Sequence, residues 1–369
     1  MKSREQKMIN QHNPAWSLAI PVASLVVLGL YKLVPNFPLI ILLLSVGLIA
    51  SVVSAVHHAE VIAHKVSEPF GTLVLALSVT IIEVALIVSM MLSGGDDVMG
   101  LPRDTIFAAV MIILNAIIGL SLLVGGRKHF VQGFNLEGAT AALGTMTVII
   151  VFSMILPNFV SSSNVVGVYS AQQLMFIALI TLAMFVAFTL FQTIGHREYF
   201  LPVQVDEEHP EQVADLPSIK TVMVSLVALL ASLVAVVLSA KGISPSLEAF
   251  LGRAGAPAAT LGIFIAAIVL LPEFGAAMRA AKANRLQSSL NLAIGSAIAS
   301  IGLTIPVVAI LAIIFDWPLV LGLDAKSTVL LILSLFIVAN TLRTGNTTML
   351  PGFVHLAIFA TYLFFSFVP

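Results

Sequence analysis

Long apolar runs separated by short polar turns make up most of the chain. Eleven runs can be drawn, at residues 16–34, 37–56, 70–92, 104–125, 139–157, 171–193, 219–240, 256–280, 287–314, 326–342 and 350–368. Most are about 20 residues, the length a helix needs to cross the hydrocarbon core of a bilayer. They do not show the ten-residue alternation of an outer-membrane barrel strand. The pattern predicts an all-α polytopic membrane protein with about 11 transmembrane helices. One longer polar stretch interrupts the series at 194–218. It contains HREYFLPVQVDEEHPEQVADLP, acidic and punctuated by proline. It reads as a cytosolic linker between two halves. With the first helix set aside, five runs precede the linker and five follow it. A repeat with an odd number of helices re-enters the membrane in the opposite sense. The expected organisation is therefore residues 1–36 as a tail and first helix, 37–193 as the first five-helix repeat, 194–218 as the linker, and 219–369 as an inverted second repeat. Secondary transporters with this layout hold substrate near the midplane, where the repeats meet.

Composition strengthens the membrane reading. Hydrophobic residues make up 59% of the 369, charged residues only 9%, and the mean hydropathy is +1.09. A soluble domain carries about 25% charged residues. There is no cysteine, which excludes disulfides and thiolate metal sites. The formal net charge of −1 gives no reason to expect a nucleic-acid partner. The expected partners are inorganic cations, protons and the lipid bilayer. Lys2, Arg4 and Lys7 precede the first apolar run. That run is long and no small-residue cleavage site follows, so it reads as a helix rather than a signal peptide. With the N-terminus inside, 12 of the Lys and Arg fall in inside loops and 5 in outside loops. This predicts a cytoplasmic N-terminus, an outside C-terminus and an odd number of spans, in the cell inner (plasma) membrane.

Two glutamates break the apolar pattern: Glu83 in TIIEVALIVSM and Glu273 in LLPEFGAAMRA. A charge at the bilayer centre costs about 2.5–3.5 kcal/mol on insertion scales, and intramembrane ionisable residues are functional by default. Each glutamate lies in the second helix of its half, so inverted repeats would let the pair converge. The bland reading is a carboxylate bonded to a neighbouring helix. Polar side chains accompany the pair: Ser78 and Thr80 before Glu83, Asn115 in the next helix, and Ser296, Ser300 and Thr304 in the third helix of the second half. Singly, each could simply bond the backbone. Together they resemble a hard-cation site, since Ca²⁺ takes about 6–8 oxygen ligands. Pro272 is expected to free a backbone carbonyl beside Glu273, and Gly71, Gly119, Gly295 and Gly302 to let helices approach. A second polar cluster, HHAEVIAHKVSEP at 57–69, places His57, Glu60 and His64 on one helical face, with Glu68 continuing it. It reads as a solvated helix end or as a vestibule that gathers cations or relays protons. There is no HExxH pattern for a zinc protease.

These residues resemble the cation/proton exchanger branch of the calcium/cation antiporter superfamily, with its ChaA-type bacterial sodium-calcium/proton antiporters. AEVIAHKVSEPFGTLVLALSVTIIE aligns with the family's first glutamate motif, placing Glu60 on the early glutamate and Glu83 on the cation-site glutamate. LNAIIG places Asn115 on the family's asparagine, VLLPE places Glu273 on the second glutamate, and GSAIASIGLTIP places Ser296 on its serine. TGNTTMLPGFVHLAIFATYL looks like the family's closing motif. Val79-Thr80 and Leu270-Leu271 stand where the family has Gly-Asn, and Ala299 stands for its glutamine. The carboxylates are kept and amide ligands lost, which implies a broader range of Na⁺, K⁺ and Ca²⁺.

The function expected is a secondary antiporter, not an enzyme and without a cofactor, that exports Ca²⁺, and with it Na⁺ and K⁺, against protons. Glu83 and Glu273 would hold metal cation and protons in turn, helped by Asn115, Ser296, Thr80 and Ser300. The alternatives are a cation channel with a glutamate selectivity pair and an intramembrane hydrolase with a glutamate base. The hydrolase lacks a nucleophile pattern.

Overall fold

The computed structural model describes residues 13–34, 37–66, 70–92, 100–160, 165–201, 216–253, 255–257 and 259–368. Almost all of these are helical. The helices are α1 (Ala15–Leu33), α2 (Pro38–Val66), α3 (Phe70–Met91), α4 (Leu101–His129), α5 (Leu136–Phe159), α6 (Ala171–Gly195), α7 (Ile219–Arg253), α8 (Thr260–Val269), α9 (Leu271–Lys282), α10 (Leu286–Ile314), α11 (Ala325–Thr341) and α12 (Met349–Phe367). Among the described residues, eight are long and apolar enough to cross a bilayer: α1, α2, α4, α5, α6, α7, α10 and α12. α8 and α9 together reach the same length but are bent by 56° at their junction. Large side chains such as Val26, Leu42, Phe176, Val227, Phe336 and Phe353 lie exposed on the helices. Their number exceeds what a water-facing surface tolerates, and it suits lipid.

The chain packs as two units. The first comprises Met1–Ser93 and Val205–Phe250. Here α2 packs between α1 and α3. Small polar residues stitch the helices. Ser51 Oγ donates to Ser24 Oγ at 2.9 Å, Ser54 Oγ donates to the Ser17 carbonyl at 2.6 Å, and Ser54 and Ser232 of α7 share a bond of 3.2 Å. Hydroxyls at interhelical contacts satisfy one another where no water reaches. α7 is longer than its apolar run at 219–240 suggests. It continues through Pro245 to Arg253 because residues 246–251 are mainly helix formers and Leu251 is buried.

The second unit comprises Gly94–Gln204 and Leu251–Pro369. α4 is its centre, with 89% of its apolar window buried, and α10 follows with 67%. α10 packs on α4, α5, α6 and α9, while α8 and α12 pack on α4. Helix starts follow sequence signals. Asn135 Oδ1 caps α5 by accepting from Gly138 N–H, Asp324 Oδ1 caps α11 from Ser327 N–H, and Ser170 with Gln173 forms a capping box for α6. Strands β1 (Gln132–Gly133) and β2 (Asn346–Thr347) pair antiparallel and tie the loop after α4 to the loop before α12. Gly119 and Gly352 let α4 and α12 touch: a Cβ on Gly352 would lie 2.7 Å from the Gly119 carbonyl oxygen. Gly302 faces Phe185 in the same way, whereas Gly295 has open space around it and brings no helix closer. The beginning of the predicted linker is ordered. Arg197–Phe200 form a short helical turn, Phe200 is buried, and its carbonyl accepts from Asn291 Nδ2 on α10. Residues 202–215 of the linker lie outside the described residues.

Candidate functional site

In the first unit, α3 buries Glu83 at 4% exposure together with Thr80 and Ser78. Thr80 and Glu83, three residues apart, share a helical face. Ser78 Oγ donates to the Val74 carbonyl at 2.8 Å, so its proton is spent within the helix. His57, Glu60 and His64 lie on α2, which runs unbroken to Val66. His57 and Glu60 are half-buried and His64 is exposed. The His57 ring packs 5.2 Å from Trp16 and 5.4 Å from His58. Glu68 lies outside the described residues. Among the described residues, no three His, Asp or Glu side chains form a group able to hold a metal ion. Sequence reading overlooked Ser51, Ser54 and His58, a fully buried stripe on α2. Their i, i+3, i+7 spacing was the available signal.

In the second unit, Glu273 is buried at 7% exposure. Its setting differs from the mid-helix position expected. The span is broken at Leu270, and Glu273 stands in the first turn of α9, one residue after Pro272. Pro272 explains the break, because it has no N–H to continue the α8 ladder. Glu273 thus stands in the first turn of a half-helix, whose positive end favours negative charge. Discontinuous helices of this kind form the ion sites of many transporters.

α9 packs along α10, which carries Ser296, Ser300 and Thr304 at four-residue spacing on one face. Ser296 is half-buried, and Ser300 and Thr304 are buried. Thr304 Oγ1 has no hydrogen-bond partner among the described residues, so a buried oxygen is available there. Asn115 is wholly buried on α4, inside a π-helical turn, Ile112–Ile117. Such turns recur at functional sites because they displace side chains and loosen carbonyls. Its Nδ2 donates to Ser334 Oγ at 2.9 Å, and its Oδ1 faces His355 Nδ1 at 3.4 Å. Ser334 and His355 were not legible as partners, since they lie more than 200 residues away in sequence. An open cavity of about 450 Å³ between α5 and α6 is lined by Glu137, Phe188, His196 and Tyr199 among others. None of the residues singled out from the sequence lines it.

The sodium/calcium exchanger family profile matches residues 36–194 and again 224–368. The chain belongs to the sodium/calcium exchanger family. The chain is 43% identical to the y4hA protein of Sinorhizobium fredii (strain NBRC 101917 / NGR234) over 372 residues, covering 100% of both chains. It is 35% identical to the sodium-potassium/proton antiporter ChaA of Escherichia coli (strain K12), covering 98% of each. Its fold matches the solved structure of native YfkE with a TM-score of 0.73 at 19% identity, over 96% of this chain and 100% of that one.

Proposed function

We propose that this protein is an antiporter of the bacterial inner membrane that exports Na⁺, K⁺ or Ca²⁺ in exchange for protons. The observation that carries the reading is the pair of buried carboxylates, Glu83 and Glu273, within apolar helices. The relative from E. coli is a sodium-potassium/proton antiporter, which supports both the exchange mode and monovalent cargo. The match of one family profile to 36–194 and again to 224–368 supports a chain of two related halves, which we read as two five-helix repeats after a first helix. The positive-inside count supports a cytoplasmic N-terminus.

The mechanism follows from charge. With Ca²⁺ bound, the two carboxylates are ionised and balance it; Na⁺ or K⁺ balances one of them while the other keeps a proton. Once the cation leaves outward, uncompensated carboxylates in a low-dielectric interior are costly, and protons replace it. The cation-loaded and proton-loaded forms cross; the bare dianion does not, and this couples the fluxes. Two protons per Ca²⁺ is electroneutral, whereas each extra proton at about 150 mV adds about 3.5 kcal/mol of drive. Asn115 and Ser296 offer neutral oxygens and do not titrate. Asn115→Ala and Ser296→Ala are expected to raise the half-saturating cation concentration or shift preference among cations, with the pH profile kept. Cation titrations at several pH values check this. A pH profile displaced by a unit or more at unchanged affinity would assign these side chains to the proton path instead. Deleting residues 203–214 is expected to leave exchange intact, because an acidic, proline-punctuated stretch with no apolar run reads as a linker. Loss of transport in a well-inserted deletion contradicts that.

A further inference from the structure

A hydrogen-bonded chain in the second unit runs in one direction. Ser334 Oγ donates its one proton to the Leu330 carbonyl at 2.7 Å, with the Met111 sulfur also in reach at 3.6 Å. Its lone pairs therefore accept from Asn115 Nδ2 at 2.9 Å. That turns Asn115 Oδ1 toward His355 Nδ1 at 3.4 Å. An amide oxygen only accepts, so the proton of the neutral imidazole sits on Nδ1. Nε2 is then an acceptor and takes the Thr341 hydroxyl proton across 3.2 Å. Donation passes from Thr341 to His355, to Asn115, to Ser334, to Leu330. Asn115, Ser334 and His355 are wholly buried, and Thr341 is half-buried at the end of α11. The ring also hydrogen-bonds the Leu114 backbone, one residue before Asn115. Gly119 presses the arrangement together, since a Cβ there would lie 2.9 Å from His355 Cβ.

We propose that His355 is a positioning residue for Asn115: it holds the oxygen end of the amide toward α12 and thereby sets the strength of cation binding. The inference rests on the reading of Asn115 as a cation-site oxygen. The last torsion of asparagine is broad and roughly two-fold, so little in the side chain itself opposes a half-turn. Ser334 alone does not oppose it either. Its hydroxyl can swing from Leu330 and donate to a turned Oδ1, leaving the amide NH₂ where an oxygen stood. An NH₂ group repels a cation. His355 opposes that turn because a turned amide sets its NH₂ against the Nδ1–H, and relief requires the ring to change tautomer and the Thr341 hydroxyl to reverse with it. The amide oxygen has two lone pairs, so His355 leaves one for a cation.

The test is proton-driven cation uptake over a cation titration, for wild type, Asn115→Ala, His355→Leu, His355→Gln and the double variant Asn115→Ala/His355→Leu. His355→Leu is expected to raise the half-saturating concentration about two- to tenfold, the equivalent of one lost hydrogen bond, at a near-normal maximal rate. His355→Gln restores a donor and an acceptor and is expected to stay within about twofold of wild type. The double variant is expected to match Asn115→Ala alone, since both remove one interaction. If His355→Leu fails to assemble, Thr341→Val tests the same chain, because it removes the hydroxyl that must reverse together with the ring and the amide, and it should shift half-saturation in the same direction. A merely structural histidine gives a lowered maximal rate, no rescue by Gln, and effects that add. That result, or an unmoved half-saturation in His355→Leu or Thr341→Val while Asn115→Ala moves it, overturns the proposal. An unmoved half-saturation in Asn115→Ala itself overturns the proposal together with the reading of Asn115 beneath it.

Discussion

Glu83→Gln and Glu273→Gln each reduce exchange to background while the protein still inserts. Glutamine keeps the volume and the hydrogen-bonding capacity of glutamate. It lacks the charge that holds a cation and the site that accepts a proton, so both halves of the cycle fail together. Insertion should not suffer. An ionised carboxylate at depth costs about 2.5–3.5 kcal/mol, and the amide removes that cost. The variants should therefore melt in detergent no lower than wild type while losing transport. Functional groups often carry such a trade between stability and activity. Either variant transporting near the wild-type rate shows that the carboxylate it replaces is not needed.

Gly352→Ala destabilises the second unit by about 1–3 kcal/mol or more, the usual cost of forcing atoms into a packed interior. The added Cβ would stand 2.7 Å from the Gly119 carbonyl oxygen and 2.8 Å from Leu123 N. Both are backbone atoms of α4, so no rotamer change relieves the clash. α12 must move away from α4, carrying His355 with it. Gly295→Ala is the control. It has nothing within 4 Å, and alanine is favoured over glycine in a helix by about 1 kcal/mol. Thermal unfolding of both variants in detergent distinguishes them. A Gly352→Ala protein that melts with wild type contradicts the close packing of these helices.

The residues most visible in the sequence were those whose chemistry clashes with their neighbours. Glu83, Glu273 and Asn115 stand out because charge and amide are expensive in apolar runs, and the structure buries all three. The starts of α5, α6 and α11 are set by the caps Asn135, Ser170 and Asp324, local signals that runs drawn by hydropathy alone do not use. Features set by distant contacts were not legible. Hydropathy runs smoothly across Leu270, so the 56° break showed only as Pro272. A proline inside an apolar run can equally be accommodated, as Pro306 is within α10. The π-helical turn at Asn115 has no sequence signature in ILNAI. His355 and Ser334 gain meaning only when α11 and α12 meet α4. α7 was drawn too short because its last turns mix polar residues with helix formers, and hydropathy records only the polarity.

The central claim is exchange, and its direct measurement is cation uptake into inverted membrane vesicles carrying an imposed proton gradient, acid inside. Na⁺, K⁺ and Ca²⁺ are tested one at a time, with proton release followed in parallel. The result predicted is uptake of at least one of these cations that is matched by proton efflux, collapses with a protonophore, and is absent in Glu83→Gln and Glu273→Gln. Cation flux that carries current, moves no protons and survives collapse of the gradient would show a channel and contradict the claim.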